Sequence, residues 1–306
     1  MALQQLIYYG RPKAMTSPLE KLGLGSAQFP LDEAPGASRG RSPAEQVKDI
    51  LQIAARAGLG VFDVAGRAPQ NESILGQLMP RPVPFRIAIS TVRADKGPDI
   101  VELELIASLR RLGVETCETV LVPSASDLFG DHGAALWTRL QRLKDQGLFK
   151  KIGITAFASD DPVGLARRFR PDIVQAPASL LDQRLLVNGA LAEIAGLGIE
   201  VHLRSIFLNG LLFLPPDRVP SQLKGAAGRI SRARRMIAEG RSDPLQAALG
   251  FALSRPEAHA VLVGVTSPGE LSAVIAAASS PPPDLDWDEM ALDDPSVIDS
   301  RTWAAA

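Results

Sequence analysis

Eight short apolar runs, each followed by a stretch of helical period, constrain this 306-residue chain more than any other feature. They fall at 22–28, 60–65, 86–91, 119–124, 151–156, 172–179, 200–207 and 260–266. Several are nearly continuous in apolar residues rather than alternating, the pattern of parallel strands whose outer faces are covered by helices. The first connection shows the helical signal clearly. Val47, Ile50, Leu51 and Ala54 recur at three- and four-residue spacing and define one buried stripe. Ser42 is placed to cap that helix, Pro43 suits its first position, and Glu45 completes a capping box. The same start signal recurs at Ser267 with Glu270, while Asp161-Pro162 and Asp243-Pro244 open further helices. Arg170-Pro171 and Arg255-Pro256 end the helices before the sixth and eighth runs.

Eight strands alternating with eight helical stretches in roughly 260 residues predict an α/β chain folded as one (β/α)8 TIM barrel. A doubly wound open sheet would be expected to carry a G-x-G-x-x-G turn after an early strand, and the sequence has none. The barrel is assigned to 21–280, an N-terminal extension to 1–20 and a C-terminal tail to 281–306. Residues 3–9 are expected to form a hairpin or lid beneath the barrel, and the tail to run outside it.

Composition narrows the function classes. A formal charge of −1 supplies no field that would draw nucleic acid or an anionic membrane. No run reaches 18 apolar residues and no basic segment precedes an apolar one, so a soluble, cytoplasmic protein is expected. The single cysteine, Cys117, excludes an internal disulfide framework, and His132, His202 and His259 are too dispersed for a close-spaced metal signature. Cys117 is expected just ahead of a strand, near Glu115 and Glu118, where a thiolate is disfavoured. His202 reads as a packed strand residue, and His132 and His259 as loop residues. The basic run Arg229, Arg232, Arg234, Arg235 and Arg241 reads as a solvated helix face, and Asp284, Asp286, Asp288 and Glu289 as a solvated acidic tail. The apolar residues 211–214 suit either a pocket wall or burial against the barrel rim.

In a barrel of this kind the site lies at the C-terminal ends of the strands. Those ends carry Gln28, Asp63, Arg67, Thr91, Arg93, Ser124, Thr155, Gln175, Ser179, Ser205, Asn209, Gly264 and Ser267. No histidine stands among them, and Asp63 is the only carboxylate.

Several segments then carry a resemblance. They are Leu22-Gly23-Leu24-Gly25-Ser26-Ala27-Gln28-Phe29, Gly60-Val61-Phe62-Asp63-Val64-Ala65, and Asn71-Glu72-Ser73-Ile74-Leu75-Gly76. Lys151-Ile152-Gly153-Ile154-Thr155 follows, then Gln175 with Leu180-Leu181-Asp182-Gln183-Arg184. Arg204-Ser205-Ile206-Phe207-Leu208-Asn209-Gly210-Leu211-Leu212 and Val263-Gly264-Val265-Thr266-Ser267 with Leu271 complete the set. In this order the chain resembles the aldo-keto reductases from about residue 20 to 280.

That family reduces carbonyls with a nicotinamide cofactor, using a tyrosine acid whose pKa is lowered by a lysine–aspartate pair, with a histidine orienting the carbonyl. The resemblance places Asp63 on the aspartate, but Ala68 on the tyrosine, Val92 on the lysine and Pro123 on the histidine. The only tyrosines, Tyr8 and Tyr9, precede the barrel, while Lys96 and His132 lie beyond the expected sites. Losing a general acid costs roughly 10²–10⁴ in rate. Arg67 and Arg93, beside two of the lost positions, are candidate counter-charges for Asp63.

For the cofactor, NADP or NAD, the resemblance points to Thr155, Gln175, Ser205, Phe207, Leu208, Gly210, Gly264, Ser267 and Leu271, with no metal. Ser267, at a capped helix start, suits a phosphate. Against that, residues 266–278 contain no lysine or arginine to clamp a 2′-phosphate, and Ala156 replaces an asparagine expected to reach the nicotinamide amide. Two functions follow. One is a pseudoenzyme that keeps a pocket for a cofactor, a small sugar-like ligand or an unknown protein partner. The other is an active NAD(P)-dependent oxidoreductase acting on a carbonyl or sugar through an unusual acid such as Asp63.

Overall fold

The computed structural model describes residues 18–29, 31, 43–64 and 68–303. The expected hairpin at 3–9, the cap at Ser42, the end of the second run at Ala65, and Arg67 lie outside the described residues. Eight parallel strands close into a barrel in the order of the sequence, β1 pairing with both β2 and β8. They are β1 (Leu22–Gly25), β2 (Val61–Val64), β3 (Arg86–Ser90), β4 (Cys117–Val122), β5 (Phe149–Thr155), β6 (Ile173–Pro177), β7 (Glu200–Arg204) and β8 (Ala258–Gly264).

A single turn, α1 (Pro18–Lys21), leads into β1. Between β1 and β5 the outer helices are α2 (Pro43–Ala57), α3 (Pro69–Leu78), α4 (Pro98–Leu112) and α5 (Gly130–Asp145). Those that follow are α6 (Pro162–Phe169), α7 (Arg184–Val187), α8 (Ala190–Gly196), α9 (Ala227–Glu239), α10 (Pro244–Leu253), α11 (Pro268–Ala278) and α12 (Pro295–Ile298). The expected stripe of α2 is its buried face, Val47, Ile50, Leu51 and Ala54. Three of the expected starts are capped as the sequence indicates, Ser267 among them. Asp161 accepts from Gly164 N, and Asp243 accepts from Leu245 N and Gln246 N.

Several boundaries differ from the sequence reading. Ser26–Gln28 leaves β1 as a 3₁₀ turn, because Phe29 N donates back to Ser26 O instead of continuing the ladder. Cys117 is the first residue of β4 rather than a residue ahead of it, paired with Phe149. Burial pushes its thiol up to about 12, against a weaker opposing backbone hydrogen bond from Thr119. His132 lies on α5 and His259 on β8, so neither is a loop residue.

Apolar burial divides into two main bodies. One lies between strands and helices, where alternate strand residues such as Phe62, Ile89, Ile154 and Leu203 face outward. The other sits on the rim above β6 and β7 and joins Leu180, Leu208, Leu211, Leu212, Ile230, Ile237 and Phe251 to Met290, Leu292, Val297 and Ile298. Leu211 and Leu212 are therefore buried against the rim. The basic run of α9 is a largely solvated face whose arginines find partners on the tail and rim. Arg229 pairs with Asp293, Arg232 meets Glu289 at 2.7 Å, and Arg234 donates to the Leu214 carbonyl at 2.8 Å. Glu289, 54% exposed, is thus a solvated tail acid that also pairs with α9. Residues past 280 fold back onto the barrel, with Leu292 N donating to Leu181 O at 2.8 Å and Gln183 Nε2 donating to Trp287 O at 2.6 Å.

Candidate functional site

The strands turn their remaining side chains into the barrel. Val61, Ala260 and Leu262 form a small apolar cluster of their own inside it. Glycines make room there: a Cβ on Gly23 would lie 2.6 Å from Leu262 Cδ2, and one on Gly153 2.5 Å from Leu121 Cδ2. Two residues on from His202, which is buried on the same strand, Arg204 also faces inward because Val201 and Leu203 belong to the outer core.

At the lower end, where the strands begin, a cavity of about 240 Å³ is lined by polar groups including Glu118, Lys151, Glu200, His202 and His259. Lys151 Nζ meets Glu200 at 2.9 Å, and His202 Nε2 lies 3.7 Å from the same carboxylate. His202 and Lys151 hold Glu200 down to about 2, against the opposing effect of burial.

The upper end carries the candidate chemistry. Thr155 Oγ1 donates to Gln175 Oε1 at 3.2 Å, and Gln175 Nε2 donates to Asp63 Oδ2 at 3.0 Å. This chain crosses the interior from β5 through β6 to β2. Asp63 is 8% exposed, and its Oδ1 has no hydrogen-bond partner. Burial raises its pKa above the usual carboxylate range, opposed in turn by the Gln175 bond, Arg204 and His202. The buried Thr91 Oγ1 at the end of β3 is also unpartnered. Arg93 does not supply the counter-charge. It reaches Asp127 at 2.9 Å, and that carboxylate also accepts from Ala94 N.

Arg204, which the sequence reading quoted within a motif but did not assign to the site, ends β7 at this mouth. Its guanidinium lies over the Phe157 ring at 5.6 Å, and Arg301 of the tail covers the same ring at 3.8 Å. Parity with the inward His202 is the signal that finds Arg204. No linear signal joins Phe157 to Arg301.

Above β7 the chain turns sharply. Ser205, Leu208 and Asn209 hold left-handed φ values of 57°, 45° and 50°, so half of the six such non-glycine residues among those described fall here. Each costs about 1 kcal/mol or more relative to an ordinary conformation. The buried Leu208 side chain and the Leu208 N to Ser205 O bond of 2.8 Å hold the turn. Phe207 packs against Phe213 at 5.5 Å, and Gly210, with φ 83°, completes the loop.

The expected phosphate end is differently built. Ser267 caps α11 as expected, its Oγ accepting from Glu270 N at 3.2 Å. The Glu270 carboxylate then accepts from Thr266 N at 2.7 Å and from Thr266 Oγ1 at 2.9 Å. Leu271 is fully buried behind it. A 2′-phosphate would meet this carboxylate with no cation on the segment. The Gln28 side chain lies over Gly264, its Oε1 2.5 Å from where a Cβ would stand. The two orphaned polar atoms at this end, Asp63 Oδ1 and Thr91 Oγ1, are both buried, and the α11 end does not fit a 2′-phosphate clamp.

Ala68 begins α3 as its N-cap, Val92 packs partly against the outer core, and Pro123 is half-buried. All three expected partners of Asp63 are therefore non-titrating. Among the described residues, no three histidine, cysteine, aspartate or glutamate side chains gather to hold a metal, and no helix is long and apolar enough to cross a membrane.

Comparison with known proteins agrees with this architecture. Aldo-keto reductase AKR11C1 from Bacillus halodurans, solved in its holo form, superposes with a TM-score of 0.67 at 18% identity, covering 93% of each chain. A Pseudomonas aeruginosa protein assigned to the same enzymes gives 0.61 at 18% identity, over 85% of this chain and 89% of its own. No curated protein matches the sequence. The profile of the Aldo/keto reductase family matches residues 21–291, and the chain belongs to that family.

Proposed function

We propose that this protein is a ligand-binding member of the family whose standard proton-transfer machinery has been dismantled. The observation that carries the reading is the state of Asp63. Its hydrogen-bond partner is the Gln175 amide, and its other oxygen is orphaned in a buried mouth. The family's tyrosine, lysine and histidine positions hold Ala68, Val92 and Pro123. A phenol with a reference pKa near 10 is absent from the mouth's described residues, and the family's lysine position holds Val92. The polar chain from Thr155 to Asp63 supports a retained pocket for the nicotinamide end of a cofactor or for a sugar-like molecule. The carboxylate of Glu270 argues for NAD over NADP where a cofactor binds.

One observation favours the second reading, an oxidoreductase with an unusual acid. Burial raises the Asp63 pKa, so this carboxyl holds a proton more readily than an ordinary aspartate.

Calorimetric titration with NADH and NADPH tests pocket retention, and a carbonyl-reduction assay tests the chemistry. The expected outcome is NADH binding with no enzymatic turnover in the parent, and gain of reduction in an Ala68→Tyr, Val92→Lys, Pro123→His variant. Turnover by the parent at a rate typical of enzymes refutes the dismantled-machinery reading and supports Asp63 as the acid.

A further inference from the structure

The cavity at the lower end of the barrel takes no part in the proposed function. It encloses about 240 Å³ where the strands begin, room for about eight waters at ~30 Å³ each. Internal pairing does not use up its polar lining. Glu118 and Glu200 have an ammonium each, Lys150 at 3.1 Å from the first and Lys151 at 2.9 Å from the second. Arg86, exposed at the rim, makes no hydrogen bond and no ion pair with a described residue. With the histidines neutral, Arg86, Lys150 and Lys151 stand against Glu118 and Glu200, which leaves one positive charge over.

Two groups deeper in the cavity are also unanswered. Thr119 and His202, 4% and 7% exposed, both line it. The Thr119 hydroxyl has no hydrogen-bond partner among the described residues, yet it is not one of the sealed orphan atoms, which are Asp63 Oδ1, Thr91 Oγ1, Asp127 Oδ2 and Glu257 Oε2. Its unused side therefore opens on the cavity. The His202 ring comes no closer to a carboxylate than 3.7 Å, from Nε2 to Glu200. Buried polar groups are normally answered, so two of them beside one cavity mark a place for a ligand. The remaining wall is apolar. Val61 and Ile173, both buried, stand in register with Arg86 and Glu200 on neighbouring strands.

We infer that this cavity binds a short-chain monocarboxylate, at the end of the barrel away from the mouth. The planar fork of Arg86 takes the carboxylate, to which arginine binds through two parallel hydrogen bonds. Thr119 and His202 supply further polar contacts, and the alkyl stem lies on Val61 and Ile173. One surplus cation selects one negative charge, because a dianion would bring its second charge against Glu118 and Glu200. An inorganic anion would leave the apolar wall uncovered.

The test is an amide NMR titration of the full chain with butyrate, butyramide, succinate and inorganic phosphate, for the parent, Arg86→Met and Thr119→Val. Butyrate is expected to bind at least tenfold more tightly than the other three, with shifts gathered at the starts of β3, β4 and β7. Arg86→Met is expected to weaken butyrate by about 10-fold or more, the range of charge-assisted hydrogen bonds. Thr119→Val keeps the shape and removes the hydroxyl, so it is expected to weaken butyrate by about 2- to 10-fold. Its thermal midpoint should not fall, because that hydroxyl holds nothing in the free protein; a purely structural role would lower the midpoint and spare the affinity.

No binding of butyrate at millimolar concentration overturns the inference, as do shifts confined to the upper mouth or equal binding of butyramide. Tighter binding of succinate or phosphate overturns it too, and so does a butyrate affinity that neither substitution changes. Titration with NADH reads the mouth separately, so either site can fail while the other stands.

Discussion

Replacing Asp63 by asparagine tests the electrostatics of the mouth directly. The native carboxylate is buried, keeps one bond from Gln175 Nε2 at 3.0 Å, and leaves Oδ1 unbonded. An unsatisfied charged oxygen in such a place costs about 1–3 kcal/mol. The asparagine carbonyl still accepts from Gln175, losing about 1 kcal/mol of charge assistance. Asp63→Asn is therefore expected to be more stable than the parent by up to about 2 kcal/mol at neutral pH, the amide NH2 that replaces Oδ1 being itself unpaired but uncharged. For a chain of this length that is at most about 3 °C in midpoint.

The pH dependence is the sharper signature. Because the native pKa lies above the ordinary 3.8, the folded state binds this proton more tightly than the unfolded chain does. Parent stability consequently falls as pH rises from 3.8 through the native pKa, then stays at the lower level. The variant lacks that fall, so its advantage opens with rising pH and closes in acid. Calorimetric or fluorescence melts of both proteins from about pH 4.5 to 9 measure the difference; this window follows from the linkage sign. A difference independent of pH, or a variant that grows less stable as pH rises, refutes the reasoning. It would mean that Arg204 and His202 hold Asp63 ionised.

Three further outcomes are expected. Glu200, held at about 2, contributes stability that is complete above pH 4.5 and lost as pH falls towards 2; Glu200→Gln should therefore differ from the parent by on the order of 1–2 kcal/mol at pH 6, after screening, and converge with it in acid melts. Gly76→Ala would put a Cβ 2.2 Å from the Arg111 carbonyl and 2.9 Å from Leu112 Cα, forcing α3 away from α4; a loss of about 1–3 kcal/mol in urea unfolding is expected. Arg301→Ala removes the bonds to Asp299, Asp160 and Ser159 and the cover on Phe157, so faster amide exchange confined to residues past 280 is expected, with about 1–2 kcal/mol of local destabilisation.

The barrel was legible because its signals are periodic. The eight runs and the stripe of α2 repeat at the spacings that strands and helices demand, and the order β1 to β8 followed. Boundaries failed where a single hydrogen bond decides them. Ser26–Gln28 carries no proline or glycine to end β1, yet the turn closed by Phe29 N removes it. At the site, the capping by Ser267 was readable. The fate of the displaced charges was not. Arg93 turned to Asp127, 34 positions away, and Glu270 turned back on its own helix start. Arg204 could have been found by counting two from His202.

The contact of two guanidinium groups with the Phe157 ring also sets an order of assembly. Arg204 comes from β7, Phe157 follows β5, and Arg301 reaches Asp160 across 141 positions of sequence. A chain emerging residue by residue can pair β1 through β7 well before it owns the second guanidinium. Closure of the ring by β8 and clamping of the Phe157 ring are therefore late events that depend on distant pairing. Until residue 301 is free to fold back, Phe157 has only the more distant Arg204 guanidinium over its ring and lacks the closer one.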